Sequence, residues 1–387
     1  MKRIHIPVFL IFLIILIGCQ TEELRTILTL EKNNPTVIHP IDTSHQEVLP
    51  RKLFKIEKVI ELKSASPIFL SNTNKLIETP KGYVLSDRKL SSIWLIDGTG
   101  NVIRPIGGLG INNGKFKSLE DIQYNSYTKE LIAFSNTNKS IIRYDSNGGF
   151  IKEIKLPFYA WNFAIIDSMN LAFFINQNTD KKIGNYNLLI TNAEGKIQQK
   201  LFPIHLNRKG YDYTGFINNT HSTILFTEPF SDSIYEINSN SCKLKYVTSH
   251  WASARQKKYD SENTLLVDDD LRDNCNIRQV LESGSYSFFP YFENGRKKSI
   301  CLNKQTGDIF YSKQINPILW YSFFEQMLGS NETSFFSILN LDYLSSRTKE
   351  NPELLASLRE INTDLFDLCK TYKPGTNPVI LKISFNF

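Results

Sequence analysis

Residues 82–106 read GYVLSDRKLSSIWLIDGTGNVIRPI, and this stretch contains one complete structural repeat. A short apolar strand at 82–87 is followed by a polar turn and by a second strand at 92–97. A glycine-containing turn at 98–100 then leads into a third strand at 101–106. The same order of strand, polar turn, strand, glycine or polar turn and strand recurs along the chain.

Four further copies of this unit follow the first. They begin near Glu130, Leu171, Thr223 and Ser287, and the fifth copy is looser than the others. The equivalent turns of the five copies lie at residues 98, 147, 194, 239 and 306, which are 49, 47, 45 and 67 residues apart. A period of about 40 to 50 residues with three or four strands per unit is typical of the blades of a β-propeller.

The strands of the repeat are near-continuous apolar runs rather than strict alternations. Strands covered on both faces have this pattern, because neighbouring blades bury both sides of each sheet. An array of two-sheet sandwiches is the competing interpretation, and the regular order of strands and glycine turns favours the propeller. We therefore predict an all-β fold.

The two ends of the chain supply the strands for one more blade. Strand patterns remain at 54–62 and at 377–385, outside the five copies. A helical stripe, with Asn351 as its N-cap, precedes the final strand. We expect both ends to close the ring in one mixed blade, giving a six-bladed propeller over 51–387 with a small helical insertion at about 318–372 in its last blade.

Composition supports a globular β protein. The 387 residues include 26 Phe, 17 Tyr and 4 Trp, and large flat side chains suit packed strands. The chain is 41% hydrophobic and 22% charged, which excludes a collagen, a long disordered chain and a polytopic membrane protein.

The N-terminus has the features of an export signal. Two basic residues precede an apolar stretch at 4–17 that is too short to be a good membrane span. Residues 16–19 read LIGC, which resembles the lipobox of bacterial lipoproteins and implies lipidation of Cys19. We expect a lipoprotein signal peptide at 1–18, with an ordinary cleaved signal or a signal anchor as the alternatives.

Residues 19–50 show neither a strand nor a helix period, so we expect a spacer between lipid and body. The absence of Asp directly after Cys19 resembles lipoproteins sent to the outer membrane, facing either the periplasm or the cell surface. The lipid anchor would be the only contact with the membrane. Removal of Lys2 and Arg3 with the signal lowers the net charge from +6 to +4, and we expect no nucleic-acid partner.

Three short motifs have counterparts in a known family. The glycine-rich stretch 106–116, IGGLGINNGKF, is similar to a linker after the first blade, although it lacks the usual Gly-Pro-Gly-Glu core. Residues 230–237, FSDSIYEI, resemble an Asp-x-Ile-Tyr strand, and 377–380, NPVI, resemble a closing strand. These motifs resemble those of the six-bladed β-propeller lipoproteins of gut-type Gram-negative bacteria, relatives of the NHL-repeat propellers. The resemblance implies the propeller fold and the cellular location of a lipoprotein, and it implies no settled activity.

Four cysteines remain after signal cleavage. In an oxidising compartment an even number permits one or two disulfides, whereas buried free thiols would pack as small apolar residues. Both arrangements stay open, and no Cys-x-x-Cys pair indicates redox chemistry or a thiolate metal site. The four are Cys242, Cys275, Cys301 and Cys369.

The sequence contains no catalytic or cofactor motif. Gly108 and Gly110 lack the strand-to-helix context of a phosphate-binding loop. The histidines have no helical ligand spacing, and no Gly-x-Ser-x-Gly elbow is present. The aspartates of 268–270 with Asp273 could ligate calcium, although a solvated loop is the commoner explanation. We expect no cofactor and no resident metal.

The ligand face of a propeller is built from loops between blades and from the turn between the second and third strands of each blade. Residues 157–161, PFYAW, are the best candidate, because exposed aromatic rings stack on sugars or peptides. The alternative for each ring is packing between blades. The residues expected near this face are Arg88, Asn136, Tyr159, Trp161, Arg208, Tyr211, Tyr213 and Glu228.

Two functions fit this pattern. A binding module would hold a glycan, a peptide or an envelope protein over the propeller face. A propeller enzyme, a lyase or hydrolase, would need carboxylates or a metal at the channel mouth, for which Asp87, Glu228 and 268–273 are available. The lack of a catalytic constellation favours the binding module.

Overall fold

The computed structural model describes residues 28–31, 34–39, 49–64, 70–178, 183–204, 216–219, 223–227, 231, 233–248, 279–293, 296–375 and 377–387. Within them, six separate sheets each contain four antiparallel strands in spatial order, as the blades of a ring. This confirms the predicted six-bladed propeller.

Three strands near the N-terminus belong to blades completed much later in the chain. They are β1 (Thr29–Glu31), β2 (Thr36–Ile38) and β3 (Phe54–Glu61), and a 3-10 helix, Pro50–Lys52, precedes β3.

Blades 1 to 5 are consecutive meanders, each running from an innermost to an outer strand. Blade 1 contains β4 (Thr73–Thr79), β5 (Gly82–Asp87), β6 (Ser92–Asp97) and β7 (Val102–Ile106). Blade 2 contains β8 (Asp121–Asn125), β9 (Glu130–Ser135), β10 (Ser140–Tyr144) and β11 (Phe150–Lys155). Blade 3 contains β12 (Asn162–Ile165), β13 (Asn170–Phe174), β14 (Tyr186–Asn192) and β15 (Ile197–Pro203). Blade 4 contains β16 (Phe216–Asn219), β17 (Ile224–Thr227), β18 (Ser233–Ile237) and β19 (Ser241–Thr248). Blade 5 contains β20 (Leu281–Glu282), β21 (Tyr286–Glu293), β22 (Arg296–Asn303) and β23 (Ile309–Tyr311).

Blade 6 combines the two ends of the chain. Its strands are β24 (Met327–Ser330), β25 (Phe335–Leu339), β26 (Val379–Phe385) and the N-terminal strand β3. A 3-10 helix, Ser312–Gln314, and helix α1 (Pro317–Phe324) precede the blade, and α2 (Leu341–Glu350), α3 (Pro352–Ile361) and α4 (Thr363–Thr371) stand between β25 and β26. No helix in the described part of the chain is long and apolar enough to cross a membrane.

The predicted helical insertion at 318–372 needs a correction, because β24 and β25 lie inside it. The stripe that begins at Asn351 is also two helices rather than one. Asn362 is extended, its N–H ends α3 by donating to Leu358 O at 2.8 Å, and its side chain caps α4 by accepting from Leu365 N at 2.9 Å. One asparagine therefore ends one helix and starts the next.

The predicted spacer at 19–50 also needs a correction. Residues 28–31 and 34–39, here called the N-terminal strap, include β1 and β2, which pair in parallel with β19 at the outer edge of blade 4. Leu28 and Ile38 are buried, and the Gln199 amide bonds both the N–H and the carbonyl of Leu28 at 2.9 Å. Three-residue strands carry too little pattern to be recognised without their partner.

Buried apolar side chains form six clusters in the described residues, one at each junction between neighbouring blades. Successive strand residues serve different junctions: Val84 packs toward blade 2 and Leu85 toward blade 6. This explains the near-continuous apolar runs, since both faces of each blade are buried. Cys301 and Cys369 are buried free thiols in the junction of blades 5 and 6, Cys242 is buried between blades 3 and 4, and Cys275 lies outside the described residues.

The innermost strands surround a central channel, and polar side chains link their exposed edges. Asp121 accepts from the Phe163 N–H at 3.2 Å, and Gln123 donates to the Phe163 carbonyl at 2.7 Å. Asn162 accepts from the Ile217 N–H at 3.3 Å in the same way. Backbone groups that would otherwise lack partners are thereby paired across blades. We call the channel end with the loops between blades the upper face, and the opposite end the lower face.

Candidate functional site

A cavity of about 400 Å³ lies at the channel mouth on the upper face, and we call it the upper cavity. It combines aromatic, cationic, acidic and amide side chains from different blades. Its lining includes Asn72, Arg88, Glu120, Asp121, Trp161, Asn162, Gln279, Lys297 and Glu325.

Arg88 and Trp161 form the most defined contact in this cavity. The guanidinium of Arg88 stands 4.2 Å from the centroid of the Trp161 ring, a cation–π geometry. Arg88 lies in the turn after β5, and that turn is fixed by Asp87. The buried Asp87 carboxylate accepts from the backbone N–H groups of Ser71 at 2.6 Å and Leu90 at 2.9 Å, so this acid organises loops.

Asn136 and Tyr159 lie on the same face but have other surroundings. Both ends of the Asn136 amide bond the backbone of Ala160, donating at 2.6 Å and accepting at 3.0 Å. Tyr159 is 42% exposed and stacks under the Lys139 ammonium at 3.9 Å, and it is not among the residues that line the upper cavity. Asn136 therefore positions the loop that carries Trp161.

Glu120 is a carboxylate that the sequence analysis missed. Burial raises the pKa of the Glu120 carboxyl, while hydrogen bonds and the Arg88 guanidinium act in the opposite direction. Its Oε2 accepts from Asn136 N at 2.6 Å and from Ser118 Oγ at 3.1 Å. The carboxyl is thus held in place at the cavity wall.

An ion pair lies between the upper cavity and a second cavity beneath it. Lys75 Nζ contacts Asp121 Oδ1 at 2.7 Å, and the two side chains are 3% and 2% exposed. Burial lowers the pKa of Lys75 and raises that of Asp121, and each charge partly offsets this effect on the other. Asp121 lines the upper cavity, whereas Lys75 lines the lower cavity, about 440 Å³, which opens to the lower face.

Sequence reasoning identified only part of this constellation. Arg88 and Trp161 meet in the upper cavity, while Lys75, Glu120 and Asp121 were missed because the innermost strands were absent from the predicted repeat. The polar residues that stand beside short apolar runs in the innermost strands were the signal by which the sequence could have revealed these three residues. The remaining predicted sites lie outside the described residues: Cys19, Arg208, Tyr211, Tyr213, Glu228 and the aspartates of 268–273. Over the described residues, no group of three or more His, Cys, Asp or Glu side chains is placed to hold a metal ion.

Six blades, a ring closed by both chain ends and a polar channel mouth define a six-bladed β-propeller. The chain belongs to the family described as Domain of unknown function (DUF4934), whose sequence model matches residues 36–384. No curated protein matches the chain.

Two solved structures show the same fold. A Bacteroides fragilis NCTC 9343 protein whose name refers to export is similar over 90% of this chain and 99% of its own, with a TM-score of 0.74 and 17% identity. A DUF4221 family member from Bacteroides vulgatus ATCC 8482 covers 87% of this chain and 98% of its own, with a TM-score of 0.52 and 10% identity.

Proposed function

We propose that this protein is a non-catalytic binding module whose upper cavity holds the carboxylate of a glycan, a peptide or an envelope protein. The Arg88–Trp161 stack carries the proposal. Stacking on the ring holds the guanidinium in one orientation, and a planar guanidinium binds carboxylates through two parallel hydrogen bonds.

Other groups in the upper cavity support a ligand rich in acceptor oxygens. The amide nitrogens of Asn162 and Gln279 have no hydrogen-bond partner among the described residues, and both residues line the cavity. Buried amide N–H groups without partners are costly, so ligand or water oxygens would stabilise them.

A glycan and peptide array probed with the full chain tests this proposal. We expect Arg88→Ala and the double variant Tyr159→Ala/Trp161→Ala to lose at least about tenfold in affinity for ligands with carboxylates. Wild-type binding should weaken as salt rises, because charges at a solvent-accessible mouth are screened. Arg347→Ala is the matched control, since Arg347 is an exposed helical residue that pairs with Glu350 one turn away. Unchanged binding by Arg88→Ala would refute the site.

An enzyme remains the second candidate because of one observation, the raised pKa of Glu120 in the cavity. A carboxyl of this kind can act as a general acid. Its Oε2 is already committed to two hydrogen bonds, and neighbouring Asp121 is paired with Lys75, which favours binding without turnover. Turnover of any arrayed ligand that Glu120→Gln abolishes would replace the binding proposal.

We further propose that the protein is an exported lipoprotein anchored at the outer membrane through Cys19. The lipobox-like sequence supports this, as does the name of the Bacteroides fragilis protein, which refers to export. Labelled palmitate should enter the wild type and a Cys369→Ser control, but not Cys19→Ser. Equal labelling of all three would contradict lipidation at Cys19, and protease added to intact cells would separate surface from periplasmic exposure.

A further inference from the structure

The lower cavity has a lining unlike that of the upper one. It opens at the channel end that carries the turns between the first and second strands of the blades, and blades 1, 2, 3, 4 and 6 contribute to it. Its walls carry hydroxyl, amide and tyrosine side chains, together with three charged residues that the following paragraphs consider. Members of the lining that matter here are Lys75, Glu78, Tyr124, Tyr127, Asp167 and Ser330.

Two tyrosines of blade 2 stand at this mouth. Tyr127 is 63% exposed in the turn between β8 and β9, and Tyr124 is half-buried at the end of β8. Asn125 fixes the turn, since its Oδ1 accepts from Tyr127 N at 3.0 Å and Thr128 N at 3.2 Å. The exposed ring is therefore held on an ordered turn, where it can stack on the apolar face of a ligand.

The three charged groups in the wall are already engaged. Glu78 pairs with Lys382 at 3.4 Å and also accepts from the Asn331 amide. Asp167 Oδ1 accepts from the backbone N–H groups of its own turn at 2.7 and 2.9 Å, and Lys75 is paired with Asp121. Two of the three groups are in ion pairs, and the Asp167 carboxylate is bound only by neutral donors, so the described wall offers no unpaired cation to an anionic ligand. This lining disfavours an acidic ligand and suits an uncharged one.

Hydrogen-bonding capacity remains at the inner end of the cavity. The Lys75 ammonium has three N–H donors and a single carboxylate contact, and no further partner exists among the described residues. The Ser330 hydroxyl is buried and also lacks a partner there. Buried donors of this kind are stabilised when an oxygen atom of a ligand or of water accepts a hydrogen bond from them.

We infer that the lower cavity is a second, separate ligand site, and that it binds an uncharged saccharide. A sugar offers hydroxyl groups for Lys75 and Ser330 and an apolar ring face for Tyr127. The two cavities then differ in the ligand groups that they bind: the upper cavity binds a carboxylate, and the lower cavity binds the hydroxyl groups of a neutral sugar. Binding at the lower mouth should depend little on salt, because no net charge is neutralised.

The experiment uses the full chain on an array of neutral and acidic oligosaccharides at two salt concentrations. Tyr127→Ala and Ser330→Ala should each lose at least about tenfold in affinity for the neutral sugars that the wild type binds. Ser330→Ala should melt like the wild type, because its hydroxyl has no partner to lose in the described structure. Ser337→Ala is the matched control, since Ser337 Oγ is equally buried and without a partner among the described residues but does not line the cavity.

The outcomes separate this inference from the proposed function. Neutral-sugar binding that survives in Arg88→Ala and fails in Tyr127→Ala supports the lower site. Absence of any neutral-sugar binding, or its loss only in Arg88→Ala, overturns the lower site and leaves the upper one standing. Loss of acidic ligands alone in Arg88→Ala bears on the upper cavity only.

Discussion

At the scale of single residues, buried charge on the innermost strands is compensated by nearby groups. Glu282 on β20 is the clearest case, with a side chain only 3% exposed. It accepts from Lys245 Nζ at 2.9 Å, Ser287 Oγ at 2.9 Å and Thr223 Oγ1 at 3.0 Å, and also from the Tyr246 hydroxyl. Burial alone would raise the pKa of Glu282, but the Lys245 ammonium, the hydrogen bond from the Tyr246 hydroxyl and the Lys304 ammonium hold it below its ordinary value.

We expect Glu282→Gln to lower the free energy of unfolding by about 1–3 kcal/mol at pH 7, because it removes the charged acceptor of several buried donors. Lys245 keeps its second contact, with Glu236 at 2.6 Å, which limits the loss. Since the folded pKa of Glu282 lies below the unfolded one, its stabilising contribution is present above about pH 4.3 and is lost as the pH falls through the folded pKa. Urea unfolding between pH 7 and pH 3 measures both effects.

The control is Glu194→Gln, which removes an exposed pair with Lys152 and should change stability by less than about 0.5 kcal/mol. If the free energy of unfolding of Glu282→Gln falls with decreasing pH as steeply as that of the wild type, the assigned role of Glu282 is wrong.

At the scale of elements, local pattern predicted the three outer strands of blades 1 to 5 and the two end strands of blade 6. It missed the innermost strand of every blade, together with β25. Most outer strands are five to eight residues long with apolar runs, whereas β16 reads FINN and β20 has only two residues, LE. The innermost strands gain their order from neighbouring blades and from channel-facing polar bonds, which no local window contains. The strap was missed for a related reason, since β1 pairs with β19 more than 200 residues away.

The joint between the innermost strands of blades 6 and 1 requires glycine at position 329. A Cβ placed there would lie 2.0 Å from the Leu76 carbonyl oxygen, so backbone would have to move. We expect Gly329→Ala to cost about 1–3 kcal/mol, as overpacking does, and to lower the melting temperature. Gly98→Ala is the control, because a Cβ on residue 98 would meet nothing within 4 Å. If both variants melt at the same temperature, the backbone at this contact between blades 6 and 1 moves to accommodate the added Cβ.

At the scale of the whole molecule, the ring depends on a pairing between its two ends. β26 pairs with β3 from Val379↔Glu61 to Phe385↔Phe54, and the innermost strand β24 contacts β4 of blade 1. The repeat and the leftover end strands were enough to predict this closure. The two cavities could not be predicted in the same way, because each is assembled from a few residues of several blades.

Deletion of 377–387 should abolish cooperative unfolding of the whole body. The truncated chain loses β26, leaves β3 unpaired and exposes the edge of β25. Calorimetry of the full-length and truncated proteins measures the effect. A truncated protein that melts in one transition at the full-length temperature would show that the C-terminus does not close the ring.

Because of the order of synthesis, the N-terminal strand of blade 6 is made long before the strand with which it pairs. A ribosome releases β3, which ends at Glu61, more than 300 residues before β26, which begins at Val379. During that interval the strand lacks its partner, and a bare apolar edge would pair with other nascent chains. Lys55, Glu57 and Lys58 are exposed in the folded protein. Their charges of both signs disfavour pairing of the unpartnered β3 with other chains before β26 has been made.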